Sequence, residues 1–285
     1  MTNHIISLDH LGLIQITGAG AQSLLQGQLT CNLNEFAPDT AYLGAHCNPQ
    51  GRIISLFRIV AVTNGYLLQM PLNLLPSAFA ALKKYAGFYQ VELAIVTEQF
   101  DQFGFYGQPI ANPASHLPAC YFLHGELDRS LIFVAKSETL NWQATLPNTA
   151  IWGPATDWQA LEITRGIPAV YLETSTKFLP HELNLPKLNA ISFNKGCFTG
   201  QEIIARMQYR GKLKSQLYLA ECNSKIELQR GEDIYINEQC SGCIVDFCEI
   251  ANGQYQVLIS APIENIIPSN ILMTNAGSQL TILDS

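Results

Sequence analysis

The residue types best suited to chemistry lie in one short run, Asn194-Lys195-Gly196-Cys197-Phe198-Thr199-Gly200-Gln201-Glu202. Thr199-x-x-Glu202 followed by Ile203 and Ile204 has the form of a capping box, so the spacing predicts a helix from about Gly200. Cys197 then stands just outside a helix N-terminus, where unpaired amide N–H groups and the helix dipole favour an anion. Such a position favours a thiolate, and Lys195 adds positive charge. Gly196 and Gly200 leave the backbone approachable. Against this stands the plain alternative that a single cysteine is an inert buried thiol. The charge around it is unusual. Lys195, Arg206, Arg210, Lys212 and Lys214 face one acid, Glu202. Arg206 and Arg210 are four apart, which puts them on one helix face. That pattern is either a solvated basic face or a place for an anion: carboxylates, phosphate or an RNA backbone.

Other candidates are weaker. Cys240-x-x-Cys243 and Cys248 lack a second ligand pair for a zinc site, and positions 240 and 243 of a strand point to opposite faces. His46 beside Cys47 suggests a thiol–imidazole pair without a third partner. His181 lies in a long loop and is a candidate for ligand contact. Gly18-Ala19-Gly20 lacks the spacing of a dinucleotide fingerprint.

The chain that must position these residues has 285 residues, 48% hydrophobic and 14% charged. This length suits about two domains with a sizeable core. The composition excludes disorder, coiled coil and collagen. The longest apolar stretch, Ile53 to Val62, is interrupted by Arg58 and too short to span a bilayer. The opening MTNHIISLDH has no signal-peptide pattern, so a cytoplasmic location with reduced cysteines is expected. Residues 216–285 carry nine acids and two bases, whereas 1–215 carry fourteen of each. This asymmetry argues against a wholly basic nucleic-acid binder and suggests domains 1–215 and 216–285.

Alternation predicts a strand over His4–Ile16 and apolar spacing a helix over Ala21–Leu29. Strands are predicted over Ala41–Cys47 and Arg52–Val62, joined by a reverse turn at Asn48-Pro49-Gln50-Gly51. A strand at Tyr66–Gln69, a helix at Leu74–Ala86 and a strand at Val91–Val96 follow. Residues 100–135 read as short strands, and 156–165 as a helix capped by Thr156 or Asp157. Thr174–Asn194 reads as a long loop of the functional or tied-down kind. After Lys214, short alternating runs predict a small barrel or sandwich.

The run Lys195–Glu202 resembles the Lys-Gly-Cys-Tyr-x-Gly-Gln-Glu signature of the YgfZ-type folate-binding family, relatives of the glycine-cleavage T-protein, with Phe198 in place of tyrosine. Further similar parts are Ile16-Thr17-Gly18 with Leu25–Thr30, Ala45–Arg52, Leu161 to Pro168, Leu179–Leu185, Gly231-Glu232 and Ser241-Gly242, so the resemblance spans nearly the whole chain. It implies an α+β, T-protein-like fold: two interleaved α+β domains around a central cavity plus a C-terminal β-barrel. It implies tetrahydrofolate or another folate as ligand and a role in tRNA modification, particularly methylthiolation. It also implies upkeep of iron–sulfur enzymes such as a tRNA methylthiotransferase. Cys197 takes the place of the functional thiol, and Trp158 that of the residue stacking on the pterin. Leu11 stands where some members carry an aromatic. Lys195, Gln201, Glu202, Arg206 and Arg210 fall in the proposed ligand-binding set, the bases serving the glutamate tail or a partner. Two departures matter. The T-protein's acidic pair is replaced by Ser55-Leu56, which removes the carboxylate for aminomethyl transfer. Thr164 stands where many relatives have a pterin-contacting Glu; Glu162 is a partial substitute, but it lies two residues away and faces differently on a helix. A folate-dependent one-carbon transferase and a non-catalytic scaffold binding tRNA or a partner are the rival functions.

Overall fold

The first strand and the second, separated by only three residues, go to opposite halves of one large sheet. In the computed structural model, which describes residues 3–107, 119–126, 128–147, 149–267 and 271–283, β1 (His4–Ser7) turns at Asp9-His10 into β2 (Leu11–Thr17). The turn is closed by the Leu11 N–H donating to the Leu8 carbonyl at 2.9 Å. The expected single strand over His4–Ile16 is therefore two. Alternation alone does not register the change, because both strands share the two-residue period and differ only in their partners.

After β2 come α1 (Ala21–Gln28), β3 (Thr40–Cys47), β4 (Ile53–Val62), β5 (Gly65–Pro71), α2 (Leu75–Ala86) and β6 (Glu92–Ile95). Then follow β7 (Phe100–Tyr106), β8 (Ala119–Leu123), β9 (Arg129–Ala135), α3 (Thr139–Thr145), β10 (Ile151–Gly153) and α4 (Ala155–Thr164). The sheet order is β10-β1-β7-β9-β8-β3-β4-β5-β2-β6. Parallel pairing of β3 with β8 joins the two halves, with Thr40 opposite Phe122. Because β1 joins the strands of the later half, the two α+β units are interleaved.

The β3–β4 hairpin forms around the expected turn, with the Gly51 N–H donating to the Asn48 carbonyl at 2.8 Å. On α1, Leu24 and Leu25 are fully buried together with Leu29 just beyond it, as the spacing requires. The helix at α4 starts earlier than expected. Pro154 is its N-cap, and Asp157 lies inside the first turn, where a carboxylate favours the dipole rather than capping.

The segment 174–194 is mostly irregular, with one 3-10 turn at Pro180–Leu183. It is tied to the start of β4: the Ile53 N–H donates to the Phe178 carbonyl and the Thr176 N–H to the Ile53 carbonyl. α5 (Gln201–Tyr209) follows, and then β11 (Ser215–Asn223), β12 (Asp233–Ile236), β13 (Gln239–Ala251), β14 (Gln254–Pro262), β15 (Leu272–Thr274) and β16 (Gln279–Ile282). These six close a barrel in the order β11-β14-β13-β12-β15-β16, around a core that includes Ile234, Ile244, Val257 and Ile259. Among the described residues no helix is long and apolar enough to cross a membrane.

Candidate functional site

Where α4 and the chain after it cover the β3–β5 part of the sheet, an inner cavity of about 80 Å³ remains. Its apolar wall comes from Leu11, Leu43, Leu56, Phe57 and Met70, and Trp158, Gln159 and Glu162 close it from α4. Asp246 of the barrel strand β13 also reaches it. An outer cavity of about 550 Å³ shares His10, Pro71, Gln159 and Tyr171 with the inner one and adds Asn73 and Arg230. A mostly apolar hollow with a few fixed polar groups is the usual make-up of a small-molecule site; the inner space alone is smaller than the about 300–1,000 Å³ of such sites, and the outer cavity falls within that range.

Trp158 is 3% exposed. Its six-membered ring lies on Gly104 of β7, where any Cβ would come within 2.4 Å of the ring. The Arg129 guanidinium lies 5.0 Å from the indole, within cation–π range.

Arg129 anchors a buried ionic network. It donates to Glu162 at 2.6 Å and to both Glu126 oxygens, at 2.6 and 2.8 Å. Arg58 donates to both oxygens of Glu162, at 2.9 and 3.0 Å. Arg165 adds bonds to Glu126 and Asp128. Burial pushes the Glu162 carboxyl up, but Arg58 and Arg129 outweigh it and hold the group below its ordinary range. Glu162 is thus an ionised carboxylate at the cavity. Thr164 points elsewhere: its hydroxyl donates to the Ala160 carbonyl at 2.7 Å and is paired with Gln256 Oε1 at 2.9 Å. The different facing of 162 and 164 therefore puts the carboxylate, not the threonine, on the cavity.

Arg230 lies against the rings of Tyr171 and Phe247, at 3.9 and 4.7 Å, and donates to Asp246 at 2.8 Å. Asp246 also accepts from the Phe247 N–H, but burial outweighs its partners and holds its carboxyl above the ordinary range. His10 lines both cavities, and its Nδ1 is buried without a partner among the described residues. Burial lowers its pKa from the ordinary value.

The signature run occupies a different surface. α5 begins at Gln201 with Gly200 as N-cap at φ +82°, without a side-chain cap. The expected capping box is not made: the Thr199 hydroxyl instead donates to Gln28 Oε1 at 3.0 Å. Tertiary docking on α1 supplies a partner that outcompetes the local one. Gly200 serves docking too, since a Cβ there would lie 2.6 Å from the Asn48 carbonyl oxygen of the β3–β4 turn. Gly196 faces open space.

Lys195 turns inward, donating to the carbonyls of Leu29 and Cys31 at 2.7 Å each, with its ammonium 5.2 Å from the Phe198 ring. Burial lowers its pKa to about 8. Lys195 thus fastens the signature run to the end of α1. Thr30 fastens the preceding loop, donating to the Ala190 carbonyl at 2.7 Å and accepting from the Ala45 N–H.

Cys197 is exposed, three residues before the N-cap. Glu202, Arg206 and Arg210 are exposed as well, and Gln201 is half-buried. Arg210 has left the helix, with φ −136°, so it does not continue the helical face of Arg206. Of the sequence-singled residues, Trp158, Leu11 and Glu162 line the cavity. Cys197, Lys195, Gln201, Glu202, Arg206 and Arg210 do not.

The cavity residues that sequence reasoning missed are His10, Arg58, Gln69, Tyr171, Arg230 and Asp246. One signal was available: Arg58 sits in the middle of an apolar strand, where an unpaired charge is not tolerated. Among the described residues no group of three or more metal-ligating side chains converges. Cys240 is exposed and Cys243 half-buried, and burial pushes Cys243 up to about 11. His46 and Cys47 are both buried; burial lowers the first to about 4 and raises the second to about 12, which disfavours an ion pair between them. His181 pairs through Nε2 with Gln208 at 3.1 Å.

No protein-family model matches the chain. It is 31% identical over 255 residues to the tRNA-modifying protein YgfZ of Colwellia psychrerythraea, covering 83% of this chain and 76% of the relative. The YgfZ protein of Yersinia enterocolitica is 30% identical over 302 residues, 98% of this chain and 90% of the relative. In fold the chain is similar to the glycine cleavage system aminomethyltransferase T of Bartonella henselae, with a TM-score of 0.75 at 12% identity, over 100% of this chain and 85% of that one. With the α+β halves, the closed barrel and relatives at these identities and lengths, the chain belongs to the family of tRNA-modifying YgfZ proteins.

Proposed function

We propose that this protein is a cytoplasmic folate-binding accessory protein of tRNA modification, with tetrahydrofolate as the ligand of the inner cavity. The observation that carries the reading is an ionised Glu162 at the edge of a hollow walled by Trp158, Phe57, Leu11 and Met70. A pterin is flat and presents adjacent N–H donors, so it needs apolar walls and one acceptor. Glu162 meets that need: its Oε2 takes one bond from Arg58 and has room for another. Bound tetrahydrofolate supplies a carrier of one-carbon units. The glutamate tail would run toward His10 and Arg230 in the outer cavity rather than to Lys195, Arg206 or Arg210.

Ser55 is fully buried and outside the cavity lining. It offers no carboxylate to aminomethyl-transfer chemistry, which favours the accessory role over a transferase. Cys197, exposed on the signature run, is the group that would contact an iron–sulfur enzyme such as a tRNA methylthiotransferase.

Calorimetric titration with tetrahydrofolate tests the reading. The wild type should bind, and Trp158→Ala should bind at least tenfold more weakly, with Trp158→Phe in between as the variant that keeps the core filled. No heat from any of the three would remove the folate reading and leave the family membership untouched.

A further inference from the structure

Five of the seven arginines are held by the protein itself. Arg58, Arg129, Arg165 and Arg230 pair with carboxylates, and Arg52 donates to the Lys177 carbonyl. The other two, Arg206 and Arg210, are exposed, and their side chains make no hydrogen bond or ion pair among the described residues. Glu202 stands one turn before Arg206, the right spacing for an ion pair, and none forms. The side chains of Lys212 and Lys214, also exposed, have no partner among the described residues either.

These four cations fall within residues 206–214. The Arg210 and Gly211 N–H groups both donate to the Arg206 carbonyl, at 2.9 and 2.7 Å. Gly211 lies against Met207, where a Cβ would come within 2.8 Å of its backbone. The chain therefore turns sharply at the end of α5, and Lys212 leaves from beside the helix. Cations near a helix C-terminus favour the dipole. That accounts for Arg206 and Arg210, but Lys212 and Lys214 lie beyond the helix.

An exposed aromatic completes the surface. Tyr209 is 69% exposed. Its ring is braced edge-on by Phe193 at 5.9 Å and 71°, and Phe193 leans on His181 at 6.3 Å. A braced, exposed ring flanked along the chain by cations with unpartnered side chains is the chemistry that holds an unpaired base and its phosphates. The acidic stretch 216–285 next to it would repel a polyanion from the rest of that end of the chain.

We propose that Arg206, Tyr209, Arg210, Lys212 and Lys214 form an RNA-binding surface, taking an unpaired segment of tRNA with phosphates on the cations and a base on Tyr209. This rests on the tRNA-modification part of the reading above and is independent of folate. It also gives α5 a use. Cys197 lies three residues before the N-cap of that helix, which is about 13 Å long at the helical rise, and the cations stand in its last turn and beyond.

Fluorescence polarisation of the full chain with labelled bulk bacterial tRNA and a short single-stranded RNA tests the surface. Both RNAs should bind, with affinity falling linearly against salt on logarithmic axes. Arg206→Ala with Arg210→Ala should lower that slope by about 1.4. Tyr209→Ala should weaken binding about tenfold, with Tyr209→Trp restoring it. Tetrahydrofolate titrations should be unchanged in all these variants, so a wild type that binds tetrahydrofolate but no RNA condemns this surface alone. No RNA binding at 50 mM salt, an unchanged slope in the double arginine variant, or equally tight binding of polyglutamate would overturn the proposal.

Discussion

The Arg129 guanidinium lies 5.0 Å from the Trp158 indole and bonds Glu162 at 2.6 Å on the next turn of the same helix. One buried cation on β9 thus holds both the aromatic and the acidic side chain that α4 brings to the cavity. Arg129 is 1% exposed. Removing one partner of a buried ionic network leaves the others short of compensation, which costs about 3–5 kcal/mol. Arg129→Met should therefore destabilise the protein by that amount in urea unfolding. Adding Glu162→Gln should recover part of the loss, and a single variant within 0.5 kcal/mol of wild type would show that the network contributes nothing.

His46 makes the fold sensitive to acid. It is 1% exposed on β3 opposite Ser55 of β4. Its Nδ1 and the Ser55 hydroxyl have no partner among the described residues. Burial lowers its folded pKa to about 4, against about 6.5 unfolded. Between these values the unfolded chain binds the proton and the folded chain does not, so stability falls as pH drops from 6.5 toward 4. The full loss from this group is about 3 kcal/mol. Denaturant titrations across that range should show the decline, with a shallower slope in His46→Leu.

Lys195 acts at the other end of the pH scale. Burial brings its folded pKa to about 8, against about 10.4 in an unfolded chain. From pH 8 to 10.4 the unfolded state holds the extra proton, so this group makes stability rise with pH. Lys195→Met should abolish that rise. It should also loosen the signature run, whose ties to the Leu29 and Cys31 carbonyls it removes, seen as faster amide exchange over residues 195–200.

Gly200→Ala should destabilise the protein by more than about 1 kcal/mol, since φ +82° strains any L side chain and the new Cβ would meet the Asn48 carbonyl. Gly196→Ala, facing open space, should be nearly neutral. Thermal melts of the pair separate the two glycines, and equal effects would contradict the docking of the signature run on the β3–β4 turn.

Cys197→Ser should leave unfolding within about 0.5 kcal/mol of wild type because the side chain is exposed. In cells it should lower methylthiolated nucleosides in tRNA, measured by mass spectrometry of digests. Undiminished levels would remove the thiol from the proposed role.

The local pieces were legible from residue order. Spacing placed α1 with Leu24 and Leu25 inward, Asn48-Pro-Gln-Gly51 marked the hairpin, and the start of α5 fell within a residue of its expected place. These depend on backbone geometry and side-chain period, which act over a few residues. The cavity did not follow from such rules. Its walls come from β2, β3, β4, β5, α4 and β13, and which side chains meet there depends on strand pairing far along the chain. The same holds for Thr199, which forgoes its own helix end for Gln28, 171 residues away. It holds for Glu162 rather than Thr164 facing the hollow, because α4 takes its rotation from packing Trp158 on Gly104. Sequence set the periods and the turns. Only the packed chain decided which polar atoms were taken up by the protein itself and which, like His10 Nδ1, have no partner among the described residues.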